Sequence, residues 1–310
     1  MVIAVIAAVA AALILGGAYY AYRISFYSPR KGRDRRPSTS SPVYDPYRPE
    51  MKRLYNALMA RECEIVTIKS RDGLKLSGRY YHEHDGAPLD ICFHGYRSSW
   101  MTDFSGGSEL SRKMGHNLLL IDQRAHGKSQ GSTITFGILE RQDLLAWVQW
   151  ANNRFGGDTP IFLYGISMGG ATVLMTPQKE LPRNVKGIIA DCPYANAMEI
   201  ILHVAKDMPI PLWLAKPFVI LGAWLFGHFD IRETDARAEL PQAKIPILIL
   251  HGDADGFVPA QMSDLASCNP EYITRHTFPG ADHGISYLVD PQRYKKIVRQ
   301  FVEQALSVTA

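Results

Sequence analysis

Apolar runs that alternate with helical segments are the feature that most constrains the fold of this chain. From residue 64 onward, runs such as LLLID, IFLYG and ILILHG are separated by segments with helical periodicity. Uninterrupted apolar runs are typical of strands covered on both faces in a parallel sheet, so the alternation predicts a doubly wound α/β domain. The predicted strands are 64–69, 74–81, 89–93, 117–122, 161–164, 187–190, 247–250 and 273–278.

Helical spacing and one irregular block complete the predicted domain. Helices are predicted at 51–58, 138–153, 168–175 and 292–306. The block at about 194–240 breaks the alternation, because it is rich in large apolar residues and is interrupted by prolines. We interpret it as a small helical cap over the carboxyl edge of the sheet. A second transmembrane helix is the alternative, but the uncharged run there is shorter than the roughly 20 residues that a span needs.

The N-terminal segment predicts a membrane anchor. Residues 2–22 contain no charged side chain, and six basic residues and one acidic residue follow at 23–36. Because a basic flank stays in the cytoplasm, we expect a single-pass, N-out and C-in transmembrane anchor at 1–22. A basic and Pro/Ser-rich linker is expected at 23–49 and a folded domain at 50–310, on the cytoplasmic side of the cell membrane. A cleaved signal peptide is the alternative.

Charge and aromatic residues near the anchor indicate its partners. The segment 23–36 carries a net charge of +5 and the whole chain +4, so the rest is near neutral. A nucleic-acid-binding face is therefore not expected. The expected partners are the membrane, through the N-terminal helix, and a small-molecule substrate. The aromatic residues expected to form a belt at the inner membrane interface are Tyr19, Tyr20, Tyr22, Phe26 and Tyr27.

The sequence IFLYGISMGGA places Ser167 directly after a predicted strand and before a predicted helix. This is the context of the G-x-S-x-G nucleophile elbow. Gly165 and Gly169 allow the crowded turn from strand to helix, which exposes the serine hydroxyl. The hydroxyl then lies at a helix N-terminus, where developing negative charge is stabilised. Ser167 is therefore the predicted nucleophile.

A serine hydroxyl needs a base that takes its proton. In chains with this elbow, the acid and then the histidine follow the serine in sequence. His283 lies in the turn PGADHG between the last predicted strand and the last predicted helix, and it is the predicted base. His276 lies inside a predicted strand, and His203 and His228 belong to the cap.

Three aspartates compete to orient the imidazole of His283. Asp255 lies in the loop HGDADGFVP after the strand at 247–250, and it is the predicted acid. Asp253, in the same loop, is expected to hydrogen-bond the turn backbone instead. Asp191 ends the preceding strand and is the third candidate.

Two backbone amides are expected to form an oxyanion hole. One belongs to Met168, which follows the nucleophile. The other is expected from Tyr96, in the loop FHGYR after the strand at 89–93, where Gly95 permits a sharp turn. His94 in that loop is interpreted as a structural brace rather than as a second catalytic histidine.

The motifs FHGY, IDQRAHGKSQG, YGISMGG, LHGDADGFVP and GADHG occur together in this order. From about residue 62 to 306 the chain resembles the α/β-hydrolase superfamily, in particular its serine esterase branch, and it is also similar to prolyl-oligopeptidase-like catalytic domains. The resemblance implies the α/β-hydrolase fold, with a mostly parallel eight-stranded sheet and helices on both faces. It also implies a triad of Ser167, Asp255 and His283, with Tyr96 and Met168 as the oxyanion hole.

The chain departs from the family pattern at Ala125, which stands where the DxRGHG turn usually has glycine. That change concerns a turn and no predicted catalytic role, and Arg124 and His126 beside it are interpreted as structural. The sequence has neither a GxGxxG after a strand nor a Walker loop, so no cofactor is expected. His82 and His84 flank a predicted surface turn and are interpreted as solvated, so no metal is expected.

Together these residues predict a serine hydrolase that cleaves carboxylic esters of apolar acyl groups through an acyl-enzyme intermediate. A serine peptidase or amidase with the same triad is the alternative, although the chain has no room for an oligopeptidase propeller. A non-catalytic membrane-tethered binding protein is less consistent with a complete triad. Trp213, Phe218 and Trp224 of the cap are expected to bind the acyl group, with a preference for chains of about C4 to C8 over acetyl.

Overall fold

The computed structural model of the chain describes residues 1–30 and 42–307. Residues 31–41 of the predicted linker, including four of the six basic residues at 23–36, therefore lie outside the described residues. The helices are α1 Val2–Ser25, α2 Arg48–Met59, α3 Trp100–Asp103, α4 Ser105–Lys113, α5 Glu140–Phe155, α6 Met168–Leu174, α7 Ala197–Ala205, α8 Leu212–Leu225, α9 Ala236–Glu239, α10 Ser286–Val289 and α11 Pro291–Ser307.

A single eight-stranded sheet forms the centre of the described fold, with the order β1-β2-β4-β3-β5-β6-β7-β8. β2 pairs antiparallel with β1 and β4, and every other pair is parallel. The predicted mostly parallel eight-stranded sheet is thus confirmed, with strand ends within two residues of the predictions. The strands are β1 Glu64–Lys69, β2 Lys75–Tyr81, β3 Leu89–Phe93, β4 Asn117–Asp122, β5 Ile161–Ile166, β6 Val185–Asp191, β7 Ile247–Gly252 and β8 Ile273–Phe278.

Helices cover both faces of the sheet. β3, β4 and β7 are buried along their whole length, which explains why their sequences lack a polar face. One apolar core contains Trp147 of α5 and Ala171 of α6, and the other contains Leu54 of α2 and Tyr294 of α11. The carboxyl ends of the parallel strands consequently meet at one edge, where open α/β sheets place their ligands.

The cap lies between β6 and β7 and contains α7 and α8. Within the described residues, α1 is the one helix that is long and apolar enough to cross a membrane, a test that a signal sequence also passes. Its last turns pack on α8, and this burial changes the predicted aromatic belt. Tyr22 and Phe26 are buried against the domain rather than available to lipid, whereas Tyr19 and Tyr20 are exposed.

Candidate active site

Ser167 sits at the sharp turn between β5 and α6. Its backbone is left-handed, with φ 55° and ψ −115°, which is costly for a residue with a side chain. The flanking glycines make the turn possible. A Cβ on Gly165 would lie 2.1 Å from the carbonyl oxygen of Gly169, and a Cβ on Gly169 would lie 1.8 Å from that of Phe93. The elbow therefore tolerates only glycine at these two positions.

A chain of hydrogen bonds joins Ser167, His283 and Asp255. The Oγ of Ser167 lies 3.0 Å from Nε2 of His283, and Nδ1 of His283 lies 2.7 Å from Oδ2 of Asp255. His283 comes from the loop after β8, and Asp255 comes from the loop after β7. The carboxylate is fully buried and the imidazole is partly exposed. With Nδ1–H donating to Asp255, Nε2 is free to accept the serine proton.

Several donors fix the carboxylate of Asp255. The backbone amides of Phe257 and Val258 donate to its Oδ1 at 2.9 and 2.7 Å, and Nε2 of His251 lies 3.1 Å from its Oδ2. Burial alone would raise the pKa of Asp255, but the hydrogen bonds from His251 and His283 outweigh burial and hold the pKa below its ordinary value. Asp255 therefore stays ionised beside His283.

The two alternative aspartates have other partners. Oδ1 of Asp253 accepts the backbone amide of Gly280 at 2.7 Å, which is a turn contact. Asp191 accepts the hydroxyl of Tyr294 at 2.8 Å and, among the hydrogen bonds of the described chain, makes none with His283. Burial raises the pKa of Asp191 to about 6, although the hydrogen bond from the Tyr294 hydroxyl lowers it. Asp191 is therefore less completely ionised than Asp255 near neutral pH.

The expected oxyanion donors, the amides of Tyr96 and Met168, have no acceptor among the described protein atoms. Met168 opens α6, so its amide is one of the unpaired donors at a helix start. The loop that carries Tyr96 is fixed on either side. The amide of Gly95 donates to Oδ2 of Asp103 at 2.7 Å, and the amide of Arg97 donates to Nε2 of His126 at 3.0 Å.

His94 and Asp103 both hold this loop in place, but the sequence indicated such a role only for His94. His94 bonds the carbonyl of Gly95 through Nδ1 at 2.8 Å and accepts the amide of Gln123 at 3.2 Å, so its contacts are those of a structural residue. Asp103 also accepts the hydroxyl of Ser98 at 2.6 Å. The sequence reasoning missed Asp103, because it stands in no motif and its role depends on a contact across the loop.

Two pockets meet at Ser167. One, the polar pocket, has a volume of about 330 Å³ and is lined by polar and charged residues that include Arg97, Ser98, Thr102 and His283, together with apolar residues of α2 and α10. A second pocket, of about 500 Å³, is lined by apolar side chains from α1, α7 and α8. The residues that line both pockets are Tyr96, Ser167 and Phe257. The nucleophile thus lies between a polar space and an apolar space, the latter without a charged lining residue in the described chain.

The predicted acyl-binding residues of the cap separate into two groups. Phe218 lines the apolar pocket, but Trp213 and Trp224 do not, and they are 77% and 63% exposed. Their assignment as substrate-binding residues is corrected here. Eleven residues are close to three helical turns, so both tryptophans share one face of α8, which points away from the pocket.

A thiol lies beside the triad. The Sγ of Cys192 and ligand atoms of Asp255 and His283 lie within 4.8 Å of one another, the one such group of potential metal ligands within the described chain. Burial raises the pKa of the Cys192 thiol well above its ordinary value. Metal binding requires a thiolate, and the other two groups are bonded to each other, so these residues fit a metal poorly.

Comparison with known proteins agrees with this architecture. Residues 91–223 match the family described as "alpha/beta hydrolase fold", and the eight-stranded sheet continues beyond the match. The chain therefore has the α/β-hydrolase fold, and residues 91–223 resemble that family in sequence.

Similar proteins occur in bacteria and fungi, and a similar fold occurs in an archaeal protein. It is 24% identical to the uncharacterized protein YqkD of Bacillus subtilis over 254 residues, 81% of this chain and 82% of that protein. It is 31% identical to thiohydrolase aneE of Aspergillus aculeatus over 139 residues, 44% of this chain and 42% of that protein. The Pyrococcus furiosus esterase Pf2001 shares the fold, with a TM-score of 0.64 at 24% identity, over 80% of this chain and 93% of that chain.

Proposed function

We propose that the protein is a serine hydrolase that cleaves carboxylic esters of apolar acyl groups through an acyl-enzyme intermediate. The observation that carries the proposal is the hydrogen-bond chain from Ser167 Oγ to His283 Nε2, at 3.0 Å, and from His283 Nδ1 to Asp255, at 2.7 Å. The first distance is within hydrogen-bond reach of a nucleophile and its base, and the second is within hydrogen-bond reach of the base and the group that orients it. The amides of Tyr96 and Met168, which have no acceptor within the described part of the chain, support it as donors for the oxyanion.

In the proposed reaction, Nε2 of His283 takes the proton of Ser167 as Oγ attacks the carbonyl carbon of the ester. The amides of Tyr96 and Met168 stabilise the negative oxygen of the tetrahedral intermediate. The intermediate collapses, the bond to the alcohol oxygen breaks, and His283 returns the proton to the departing alcohol. Water then attacks the acyl-enzyme in the same way, which releases the acid and regenerates Ser167.

The position of His283 supports a proposed assignment of the two pockets to the two halves of the ester. The departing alcohol must lie within reach of Nε2, and His283 lines the polar pocket but not the apolar one. The alcohol therefore occupies the polar pocket, and the acyl chain occupies the apolar pocket beside Phe218. This arrangement favours an ester over a peptide whose two sides are equally polar.

Hydrolysis of p-nitrophenyl esters from acetyl to dodecanoyl tests the proposal, with Ser167→Ala as the control. We expect kcat/KM to rise by roughly ten- to a hundredfold from acetyl to chains of about C4 to C8, since each buried methylene contributes about 0.8 kcal/mol. An aminoacyl-nitroanilide tests the peptidase or amidase alternative, and an acyl thioester tests the activity named in the fungal relative. Faster cleavage of the anilide, or no cleavage that depends on Ser167, would contradict the proposal.

We also propose that α1 anchors the enzyme with its N-terminus outside and the hydrolase domain in the cytoplasm. The helix is long and apolar enough for this by length and composition. Protease added to intact cells is expected to leave the domain uncut, and the domain should sediment with membranes. A soluble form that begins near Ala21 would instead indicate a cleaved signal peptide.

A further inference from the structure

Helix α1 forms part of the wall of the apolar pocket, which is unexpected for an element whose sequence indicates only an anchor. The pocket extends from Ser167 to residues of α1, and the lining residues on that helix are Gly17, Tyr20, Ala21, Ile24 and Ser25. On the opposite side the pocket is lined by α7 and α8. An acyl chain that entered this space would therefore lie between the anchor helix and the cap.

Close packing fixes α1 against α8. A Cβ on Gly17 would lie 2.7 Å from the ring of Phe218, and a Cβ on Gly222 would lie 2.5 Å from the carbonyl oxygen of Ala18. Tyr19 and Tyr22 contact the ring of Phe226. Contacts move towards the end of α8 as they move towards the end of α1, so the two helices run in the same direction. The first turn of α8 consequently lies beside the part of α1 that precedes Gly17.

The free part of α1 leads directly into the part that packs on the cap. Residues 2–16 form the free part and are exposed, and burial against the cap begins at Gly17 and Ala18. The free part exposes large apolar side chains such as those of Leu13 and Ile14, as a helix in a bilayer does. Because the first turn of α8 lies beside this part, the neighbouring surface of the cap would enter the bilayer with α1.

The cap surface at that end has the composition that such an insertion requires. Ile210, Leu212 and Trp213 are exposed apolar side chains at or just before the first turn of α8. The exposed Lys216 lies one turn further, where its long stem allows the amine to reach the headgroups. Large apolar surfaces of this kind on a domain mark an interaction site.

The mouth of the apolar pocket opens on the same surface. Tyr20, Val204, Ile210 and Leu214 line the pocket and are also exposed to solvent, so they form its rim. The rim lies between the end of the free part of α1 and the first turn of α8. We infer that this mouth opens into the bilayer, so that the substrate is a membrane-resident lipid ester whose acyl chain enters between α1 and the cap without crossing water. This inference rests on the proposed function and on the anchoring of α1.

The test compares two substrates with the full chain reconstituted in phosphatidylcholine vesicles. One is dioctanoylglycerol within the vesicles, measured as released octanoate, and the other is soluble p-nitrophenyl butyrate. Trp213→Asp places a charge on the inserted surface but outside the pocket. We expect it to lower octanoate release about tenfold or more, because an aspartate is costly in a bilayer, and to leave butyrate hydrolysis unchanged.

Trp224→Asp is the matched control, because it makes the same change on the same face of α8, at the end that points away from the inserted turn. It should lower octanoate release less than threefold. Equal effects of the two variants, or no effect of Trp213→Asp, would overturn the inference while butyrate hydrolysis still supported the proposed function. Absence of butyrate hydrolysis in the unmodified protein would instead contradict the proposed function.

Fluorescence gives a readout that is independent of catalysis. Lipids brominated on their acyl chains quench tryptophans that lie within the bilayer. Trp213→Phe should remove the largest share of the tryptophan fluorescence that these lipids quench, and Trp224→Phe should remove a smaller share. Quenching that is unchanged by Trp213→Phe would place the first turn of α8 outside the bilayer and overturn the inference.

Discussion

The two pockets that meet at Ser167 are held together in different ways. The polar pocket lies at the carboxyl edge of the sheet, and partly or fully buried hydrogen bonds such as those of Asp103 and Asp255 fix its walls. The apolar pocket is formed by α1 and the cap, and close helix packing at Gly17 and Gly222 fixes its walls. Substitutions in the polar pocket should therefore change the rate of the chemical step, and substitutions in the apolar pocket should change the choice of acyl chain.

The largest expected effect separates Asp255 from Asp191. Asp255→Asn should lower kcat by about 10⁴-fold, because the amide holds His283 in the wrong tautomer. Asp191→Asn should lower kcat much less, since Asp191 bonds Tyr294 and not His283. Steady-state hydrolysis of p-nitrophenyl butyrate measures both. A reversed ranking would make Asp191 the acid of the site.

The second effect concerns how the folding stability depends on pH, through Asp191, which lines neither pocket. Because burial raises the pKa of Asp191 to about 6, the folded protein holds this proton more tightly than the unfolded chain does. Stability should fall as pH rises from about 4 to about 6, by up to about 3 kcal/mol. Asp191→Asn should remove this part of the pH dependence. Thermal unfolding of both proteins in detergent from pH 4 to 8 measures the difference, and parallel curves would contradict it.

The third effect tests the support of the oxyanion loop. Asp103→Ala removes the acceptor for the Gly95 amide, so the Tyr96 amide should lose its fixed position. We expect a loss in kcat of roughly tenfold, less than the 10²–10³ measured for removing an oxyanion donor itself, with KM nearly unchanged. Asp103→Asn keeps an acceptor and should recover most of the rate. Equal losses for the two variants would indicate a different role for Asp103.

The smallest effect belongs to the apolar pocket. Phe218→Ala enlarges the space beside α1 and should shift the preferred acyl chain to greater length, with a change of about three- to tenfold in the ratio of dodecanoyl to butyryl hydrolysis. Trp224→Ala should leave that ratio unchanged, because Trp224 lies outside the pocket. A larger change in the ratio for Trp224→Ala than for Phe218→Ala would indicate that the acyl chain binds on the outer face of α8 instead.

The elements that the sequence predicted well are those whose patterns have one structural solution. Apolar runs such as those of β4, β5 and β7 are typical of strands covered on both faces, so the sheet could be predicted to within two residues at each strand end. Ser167, Asp255 and His283 each follow a strand of that sheet at its carboxyl edge. The geometry that joins them therefore follows from the topology.

The elements that the sequence predicted poorly are those whose patterns have several solutions. α8 is apolar around most of its circumference, so nothing in its periodicity separated Phe218 from Trp213 and Trp224. Likewise, an uncharged helix such as α1 has the same composition whether lipid or the cap covers it, which is why Tyr22 and Phe26 were assigned to the membrane interface. Asp103 acts through a contact that only the folded loop creates.

The most direct test of the central claim is the mapping of a fluorophosphonate adduct on the full chain. A fluorophosphonate reacts with a serine only where a base and an oxyanion hole activate it, so the label reports the assembled site rather than the residue alone. Digestion and mass spectrometry should find one adduct, on Ser167, and labelling should be absent in Ser167→Ala. An adduct on another residue, or labelling that persists in the alanine variant, would contradict the assignment of Ser167 as the nucleophile.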